Sequence, residues 1–265
     1  MMQLLTIFKG KTWRRAPGKV NMKKLMMAAA AALVLCGCAQ KDDNTLRMIT
    51  EATFPPYEFL RGQEIVGIDV EICRAVAQKL GQGFKCETVD FDSVIPAVVS
   101  GKADVAAAGI TVTEDRKKNV DFSVPYVTTG IVVIYKVADP YTGLESLKGR
   151  RIGVQAGTTS ETFVLEQVGQ EPERSRSPAE SVAALKAGRV DFVIADIDPA
   201  KNCVKNEPGL ALSDFVSSES YAIAIRKGRP ELLQVLNETI AEIKADGRLA
   251  AWVEQYTAEA DRLKD

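Results

Sequence analysis

Short apolar runs alternate with amphipathic segments along the first half of the chain. The predicted order is a strand at 46–50, a helix at 69–80, a strand at 85–89, a helix at 93–100 and a strand at 103–110. This βαβαβ order predicts a parallel sheet with helices on its faces. Asp69 is predicted as the N-cap of the first helix and Gly81 as its C′ residue.

The same alternation starts again after residue 147. Strands are predicted at 151–155 and 190–195, with helices at 160–167, 179–187 and 199–205. The segments Ala97–Ala108 and Ala184–Ala195 form a faint repeat of helix, glycine, aspartate and buried strand. Because ligands collect at the carboxyl ends of strands in open α/β sheets, the repeat places Gly109 and Asp196 at matching positions.

Two apolar runs connect the halves of the chain. The run 131–135 and the run 221–225 are predicted to pair as two antiparallel crossings, which together form a hinge. Helices at 231–245 and 248–256 follow. Two lobes that face each other across this hinge would bring the two strand ends to one cleft.

The first 37 residues differ from the rest of the chain. They contain seven Lys or Arg and no acid, and their apolar run 25–35 is too short for a stable membrane anchor. This pattern is typical of a secretory signal peptide, with Met1 or Met22 as the start. Leu35-Cys36-Gly37-Cys38 resembles the lipobox of bacterial lipoproteins, which predicts a lipidated Cys38, a tether at 38–44 and a protein anchored on the periplasmic or outer-surface side of the cell membrane.

Composition excludes several classes of function. Without the signal peptide the chain has 27 basic and 35 acidic residues, a net charge of −8, so nucleic acid is not expected as a partner. The chain contains no histidine, which excludes Ser-His-Asp and Cys-His catalysis and most zinc sites, so we expect no metal and no cofactor. Cys73 is predicted to be buried. The sequence leaves undecided whether Cys73 forms a disulfide with Cys86.

The segment Gly109–Tyr126 carries the clearest chemical signal. Thr113 is a good N-cap, and Glu114 and Asp115 suit the first helical turn, but Arg116 places a cation there as well. A guanidinium at this end of a helix is unfavourable unless an anion shares the site, and a ligand carboxylate would serve. The alternative is an ordinary surface helix with Arg116 paired to Asp115 or solvated.

Several blocks in order resemble the extracytoplasmic amino-acid-binding proteins of ABC importers, the bacterial solute-binding protein family 3, and are most similar to arginine-binding members. They are Thr50–Phe59, Gly67–Val70, Asp90–Ala97, Gly109–Tyr126, Gly153–Thr159 and Asp196. The resemblance covers nearly all of the mature chain. It implies a type II periplasmic-binding-protein fold of class α/β, in which each of two lobes is a mostly parallel sheet flanked by helices.

The same resemblance implies the domain borders and partners. Lobe 1 would hold residues 45–128 and 226–265, and lobe 2 residues 129–225. The protein would be a monomer and not an enzyme, and it would pass a free L-amino acid to ABC permease subunits in the membrane.

By position, the resemblance also assigns the charged groups of the site. Arg116 resembles the residue that pairs with the ligand α-carboxylate, helped by Thr111 and Thr159. Asp196 resembles the acceptor of the α-ammonium, and both roles fit a zwitterion that must lose its water. The alternative for Asp196 is an N-cap of the helix at 199–205, a role that Asp198 could also fill.

The remaining positions concern the ligand side chain. Phe54 and Phe91 resemble aromatic walls, although either could be an ordinary core residue, and Gly109 resembles a point of close backbone approach. Ala108 stands where some relatives have a hydroxyl. Glu51 resembles the acid that meets a distal cation, which implies arginine or another basic amino acid. Glutamine is the alternative ligand. The alternative function is a dehydratase on the same scaffold with Glu51 as general acid.

Overall fold

The computed structural model describes residues 44–262. The predicted signal peptide, Cys38 and residues 39–43 of the predicted tether lie outside the described residues. The strands are β1 (Thr45–Thr50), β2 (Thr53–Phe54), β3 (Glu58–Arg61), β4 (Glu64–Val66), β5 (Gly83–Thr88), β6 (Val105–Ala106), β7 (Val120–Phe122), β8 (Val127–Lys136), β9 (Ile152–Gln155), β10 (Glu173–Ser175), β11 (Phe192–Asp196), β12 (Leu210–Leu212), β13 (Ser217–Tyr221) and β14 (Ala224–Arg226).

Most helices follow the predicted positions to within a few residues, whereas the last helix extends to Arg262 beyond its predicted end at 256. They are α1 (Ile68–Lys79), α2 (Val94–Val99), α3 (Glu114–Lys117), α4 (Thr159–Phe163), α5 (Pro178–Lys186), α6 (Ile197–Val204), α7 (Pro230–Ala245) and α8 (Arg248–Arg262). The helix predicted at 160–167 is shorter, because a π-helical turn at Val164–Val168 follows α4. No helix between residues 44 and 262 has the length and apolar character needed to cross a membrane.

The strands form two mixed sheets and a small antiparallel one. The expected mostly parallel sheets are wrong in this respect, because at least half of the strand pairings in each large sheet are antiparallel. The first sheet has the order β5-β1-β6-β14-β7, with β5, β1 and β6 parallel and β14 antiparallel to both of its neighbours. The second has the order β10-β9-β11-β8-β12, with β13 also paired to β8. Apolar side chains pack on both faces of each sheet, and α1 and α7 cover one face of the first.

The predicted pairing of 221–225 with 131–135 is wrong. β13 ends at Tyr221 and pairs with residues 127–131 of β8, whereas β14 starts at Ala224 and pairs with β6 and β7 of the first sheet. The run 221–225 therefore passes from one sheet to the other. All five residues are fully buried, so the apolar pattern contains no sign of the break.

The predicted N-cap Asp69 is also wrong. Helix α1 begins at Ile68, and its N-cap is Gly67 at φ 134°. A Cβ at Gly67 would lie 2.1 Å from the carbonyl oxygen of Tyr57, so only glycine can occupy this position next to the Tyr57 backbone. Asp69 is instead fully buried inside the first turn. The predicted C′ residue Gly81 has a positive φ of 66° and directly follows the C-cap, as expected.

The repeat in the sequence corresponds to a repeated contact. Asp104 accepts hydrogen bonds from the backbone N–H and the guanidinium of Arg47. Asp191 accepts the same set from Arg151. In both pairs the aspartate N–H returns a bond of 2.8 Å to the arginine carbonyl. Each bidentate pair fixes the start of a strand to the loop before its parallel neighbour.

Cys73 is buried on α1, as predicted, among the apolar side chains beneath the first sheet. Cys73 and Cys86 are not bridged. The disulfide that the sequence left open is therefore not formed in this structure.

Candidate ligand-binding site between the two sheets

Arg116 reaches from the first sheet toward the second. Its N–H donates to the Thr113 hydroxyl that caps α3, at 3.1 Å, as predicted. The guanidinium donates to the carbonyls of Thr111 at 2.8 Å and of Gly157 at 3.0 Å. Asp115 pairs with Lys118 at 3.0 Å, so the predicted alternative of an Arg116 to Asp115 pair is wrong.

The charge of Arg116 has no direct counter-ion in the part of the chain that the structure describes. Among residues 44–262 no carboxylate lies within 4.0 Å of its guanidinium. Burial lowers the pKa of Arg116, and the more distant charges of Glu219 and Asp196 oppose this effect. The guanidinium carbon lies 5.5 Å from the ring centroid of Phe91, which places that predicted wall residue over the cation.

Asp196 is the last residue of β11 and is 8% exposed. It occupies the N-cap position of α6, yet its side chain makes no capping bond. Its Oδ1 instead accepts a hydrogen bond from the Tyr221 hydroxyl. Asp198, the other predicted cap, lies inside α6 and accepts from the Tyr57 hydroxyl at 2.8 Å.

Asp196 is a buried acid without a cation beside it. Burial raises the pKa of Asp196 to about 7, the negative charge of Glu219 adds to the rise, and Tyr221 and Arg116 oppose it. Among the described residues no Lys or Arg lies within 4.0 Å of this carboxylate. A cationic group would therefore be strongly favoured next to it.

Glu51 follows β1 and is 5% exposed. It accepts a hydrogen bond from the Thr53 hydroxyl. Burial raises the pKa of Glu51 and the charge of Asp90 adds to this, while hydrogen bonds from Thr53 and from Gln155 of the second sheet lower it. Within residues 44–262 Glu51 has no ion pair with a protein cation.

Phe54 and Gly109 are in direct contact. Phe54 is 6% exposed and belongs to the apolar cluster of the first sheet, with the rings of Tyr57 and Tyr221 at 5.8 and 6.2 Å. Gly109 has φ 53°, and a Cβ there would lie 2.7 Å from the Phe54 ring. Only glycine lets the backbone come this close.

The two threonines lie on a cavity of about 1000 Å³. It is lined by Thr111, Arg116, Thr159 and residues 216–220, among others, but not by Glu51, Phe54, Phe91 or Asp196. The Thr111 hydroxyl donates to Glu219 at 2.6 Å, which turns it toward β13. Thr159 begins α4, where the first N–H groups have no partner in the helix.

Further contacts that join the two halves of the chain were missed by sequence reasoning. The Asn202 amide donates to the Pro55 carbonyl at 2.9 Å, and Arg176 pairs with Asp90 at 2.8 Å. Tyr57 and Tyr221 were missed as well. A buried tyrosine hydroxyl needs a hydrogen-bond partner. A tyrosine next to an apolar run in the sequence could therefore have pointed to a polar contact near the site.

No group of three or more His, Cys, Asp or Glu side chains within the described part of the chain could hold a metal ion. What the site offers is a guanidinium, two buried carboxylates and aromatic rings. This set of groups suits a small ligand that carries both signs of charge.

Residues 46–259 match the model of the bacterial extracellular solute-binding proteins, family 3. The chain belongs to this family. It is 32% identical over 237 residues to the putative ABC transporter arginine-binding protein 2 of Escherichia coli strain K12, covering 85% of this chain and 95% of that protein. The resemblance of the sequence to this family is confirmed.

Solved structures of amino-acid-binding proteins have the same fold. The amino-acid ABC transporter substrate-binding protein AbpA of Streptococcus pneumoniae, bound to L-arginine, aligns with a TM-score of 0.76 at 32% identity, over 82% of this chain and 96% of that one. An ancestral arginine-binding protein bound to glutamine aligns with a TM-score of 0.74 at 42% identity, over 80% and 97%. The two-lobed type II periplasmic-binding-protein fold is confirmed.

This family 3 protein is thus the substrate-binding component of an amino-acid ABC transporter. It is not an enzyme, which removes the dehydratase alternative. Its partners are a free amino acid and the permease of the importer, and membership of an extracellular binding-protein family implies export.

Proposed function

We propose that this binding protein closes over arginine or another basic L-amino acid, with Arg116 on the α-carboxylate and Asp196 on the α-ammonium. The observation that carries the proposal is a pair of opposite charges, the half-buried Arg116 of α3 and the buried Asp196 at the end of β11. Within residues 44–262 neither has an ion partner closer than 4.0 Å. A zwitterion would supply both missing partners at once.

The energies favour such an arrangement. An isolated charge in a low-dielectric site is costly, so a ligand that neutralises both groups gains more than either contact alone. A hydrogen bond to a charged group contributes about 1.5–3 kcal/mol. The Thr111 hydroxyl is bonded to Glu219, so the N–H groups of Thr111 and Thr159 are the proposed helpers of Arg116.

Arginine is the first choice for the ligand because of Glu51. This buried acid lacks a cation and lies near the negative charge of Asp90, which favours a guanidinium or ammonium at the far end of the ligand. The arginine-binding relatives support the same choice. Glutamine is the second candidate, because the Gln155 amide faces Glu51 and an ancestral relative was solved with glutamine.

Titration calorimetry of the full chain with arginine, lysine and glutamine tests this function. Saturation at 100 times Kd should add about 2.7 kcal/mol to the free energy of unfolding. Arg116→Ala and Asp196→Ala should each abolish binding, while Lys118→Ala, an exposed cation next to α3, should not. Unchanged affinity after Arg116→Ala or Asp196→Ala would refute the proposed clamp.

We further propose lobe 1 at 45–128 and 226–265, lobe 2 at 129–225, removal of residues 1–37, lipidation of Cys38 and a monomeric state. The membership of the strands in two sheets supports a division into two lobes, and the proposed borders fall inside β8 and β14. Mass spectrometry of the N-terminal peptide and the release of a Cys38→Ala variant from the membrane test the anchor.

A further inference from the structure

Tyr221 is a buried residue of β13 that no role in the proposed clamp explains. It is fully buried, and its hydroxyl donates to Oδ1 of Asp196. The two residues lie 25 positions apart on different strands of the second sheet. The hydroxyl therefore fixes one oxygen of the proposed ammonium acceptor.

The ring of Tyr221 is held by two aromatic residues, Phe54 at the end of β2 and Tyr57 just before β3. It packs edge-on against Tyr57 at 5.2 Å and against Phe54 at 6.2 Å. On the backbone, Ala222 donates to Ile110 at 3.1 Å in the bridge that pairs Thr111 with Tyr221. Aromatic contacts of this kind leave the ring little freedom, so the position of the hydroxyl is well defined.

Asp196 has a competing set of partners. It occupies the N-cap position of α6, where a carboxylate ordinarily turns back to accept from the first free N–H groups of its own helix. Here the side chain makes no such bond and points to Tyr221 instead. Without the hydroxyl, capping of α6 would become the favoured orientation of the carboxylate.

The charged groups that face Asp196 act in opposite directions. Glu219 on β13 disfavours its negative charge and Arg116 of α3 favours it, while burial is the largest unfavourable effect. The hydrogen bond from Tyr221 lowers the pKa of Asp196, and it is the only side-chain hydrogen bond that this group receives within the described residues. Tyr221 thus stabilises the anion without neutralising it, so the charge stays available to a ligand.

We propose that Tyr221 is a positioning residue, which holds the Asp196 carboxylate away from the N-terminus of α6 and toward the ammonium of the ligand. The proposal rests on the proposed function, because it assumes that Asp196 accepts the α-ammonium.

The test is Tyr221→Phe in the full chain, with L-arginine and its desamino analogue 5-guanidinopentanoic acid as probes. The analogue has no α-ammonium, so it does not use Asp196. We expect the affinity for L-arginine to fall about tenfold, the effect of one hydrogen bond to a charged group, while the affinity for the analogue stays the same. Equal losses for both probes would mean that Tyr221 only supports the fold and would overturn the proposal.

The pH dependence of arginine binding gives a second measurement. Only ionised Asp196 accepts an ammonium, so affinity should fall as the pH drops below about 7. Tyr221→Phe should move the midpoint of this loss to higher pH. Tyr57→Phe removes a neighbouring buried hydroxyl that binds Asp198, and it should leave the midpoint in place. An unchanged midpoint in Tyr221→Phe would contradict the proposal.

These results are distinguishable from failure of the proposed function. If the wild-type protein binds no amino acid, or if Asp196→Ala binds arginine normally, the clamp itself is wrong. If Asp196 is required but Tyr221→Phe keeps both its preference for arginine over the analogue and its pH midpoint, only the role of Tyr221 is wrong.

Discussion

The carboxylate of Asp69 accepts a hydrogen bond from the backbone N–H of Gly109, with 3.0 Å between Oδ2 and N. Asp69 lies in the first turn of α1, and Gly109 lies beyond the end of β6 at the edge of the candidate site. The bond fixes the backbone of Gly109 next to the ring of Phe54. A side chain of the first helix thereby sets how closely the chain approaches a proposed wall of the ligand site.

Gly109→Ala should therefore disturb both stability and binding. The added Cβ would lie 2.7 Å from the Phe54 ring, and φ 53° is unfavourable for alanine. We expect the free energy of unfolding to fall by about 1–3 kcal/mol and arginine affinity to fall more than about tenfold. Urea denaturation and calorimetry measure the two effects.

Gly62→Ala is the matched control for this prediction. Gly62 has a similar φ of 65°, but nothing lies within 4 Å of the position of its Cβ. The control should lose about 1 kcal/mol of stability from the backbone alone and keep its affinity. Equal effects of the two substitutions on binding would show that the contact with Phe54 has no importance for the site.

The same Asp69 faces a second buried acid, Glu58. Both residues are fully buried, with 0% solvent exposure. Among the described residues no cation pairs with either carboxyl group. Burial raises the pKa of Glu58 well above its usual range, and the charge of Asp69 raises it further. Burial also raises the pKa of Asp69 to about 6. We therefore expect Glu58 to carry a proton, which would let it share that proton with the neighbouring Asp69 carboxylate.

This pair predicts that stability decreases as the pH rises. Both folded-state pKa values lie above those of the unfolded chain, so the stabilisation is complete below pH about 4. The part from Asp69 is lost as the pH rises through about 6, and the part from Glu58 is lost as the pH rises through its own raised pKa. In Glu58→Gln a neutral amide replaces the protonated acid. Urea denaturation across this range should show a smaller loss of stability in the variant than in the wild type.

Glu64→Gln provides the control, since Glu64 is exposed and pairs with Arg61 at the surface. Arg61 lowers the pKa of Glu64, so its contribution lies below this pH range and the slope should not change. A Glu58→Gln variant with the slope of the wild type would show that Glu58 is ionised in the folded protein.

Local patterns were sufficient to predict most elements of the fold. The alternation of apolar runs and amphipathic segments located every helix from α1 to α8 except the short α3, for which the sequence showed only the cap at Thr113. The predictions of strand pairing and of the helix N-cap failed for two reasons. In one case burial is uniform along a segment, and in the other the space next to the backbone decides which residue fits. The run 221–225 is buried throughout, and Gly67 replaces Asp69 as N-cap because Tyr57 leaves no space for a side chain.

The site was less predictable, because its contacts join distant parts of the chain. Arg116 was recognisable from the sequence because a cation in the first turn of a helix is unfavourable, and this signal is local. The hydrogen bond from Tyr221 to Asp196 depends on how β13 and β11 lie against β8, and no spacing in the sequence encodes that. The same holds for the direction of the Thr111 hydroxyl, which points to Glu219.

Two contacts at the rim of the candidate site should differ in their effect on closure. Asn202 donates to the Pro55 carbonyl in a half-buried position, whereas the pair of Arg176 and Asp90 is exposed. We expect Asn202→Ala to weaken arginine binding about fivefold at any salt concentration, the worth of one neutral hydrogen bond. Arg176→Gln should weaken it less than about twofold and only at low salt, because exposed ion pairs are screened.

Calorimetry at low and high salt, with stopped-flow dissociation rates, measures these effects. The loss of affinity in Asn202→Ala should appear as faster dissociation of arginine. The hydrogen bond between Asn202 and Pro55 forms only when the two lobes are close together, so it should stabilise the closed, ligand-bound state. A larger effect of Arg176→Gln than of Asn202→Ala at high salt would contradict this assignment.

The identity of the ligand depends most directly on Glu51. A guanidinium next to this buried acid would gain a charged hydrogen bond of about 1.5–3 kcal/mol, so Glu51→Gln should reduce arginine affinity at least about tenfold. Glutamine carries a neutral amide, which the new amide can bind equally well, so its affinity should change little. Competition titrations of both amino acids against the wild type and the variant measure the ratio.

The result separates the two candidate ligands because Glu51 is the acid that we propose for the far end of the ligand. Glu87→Gln, an exposed acid of β5 that pairs with Lys85, is the control and should leave both affinities unchanged. If arginine binds the Glu51→Gln variant as tightly as the wild type, the guanidinium does not reach Glu51. The site would then select its ligand through the zwitterion clamp and the aromatic rings, and glutamine would become the better assignment for a pocket without a charged far end.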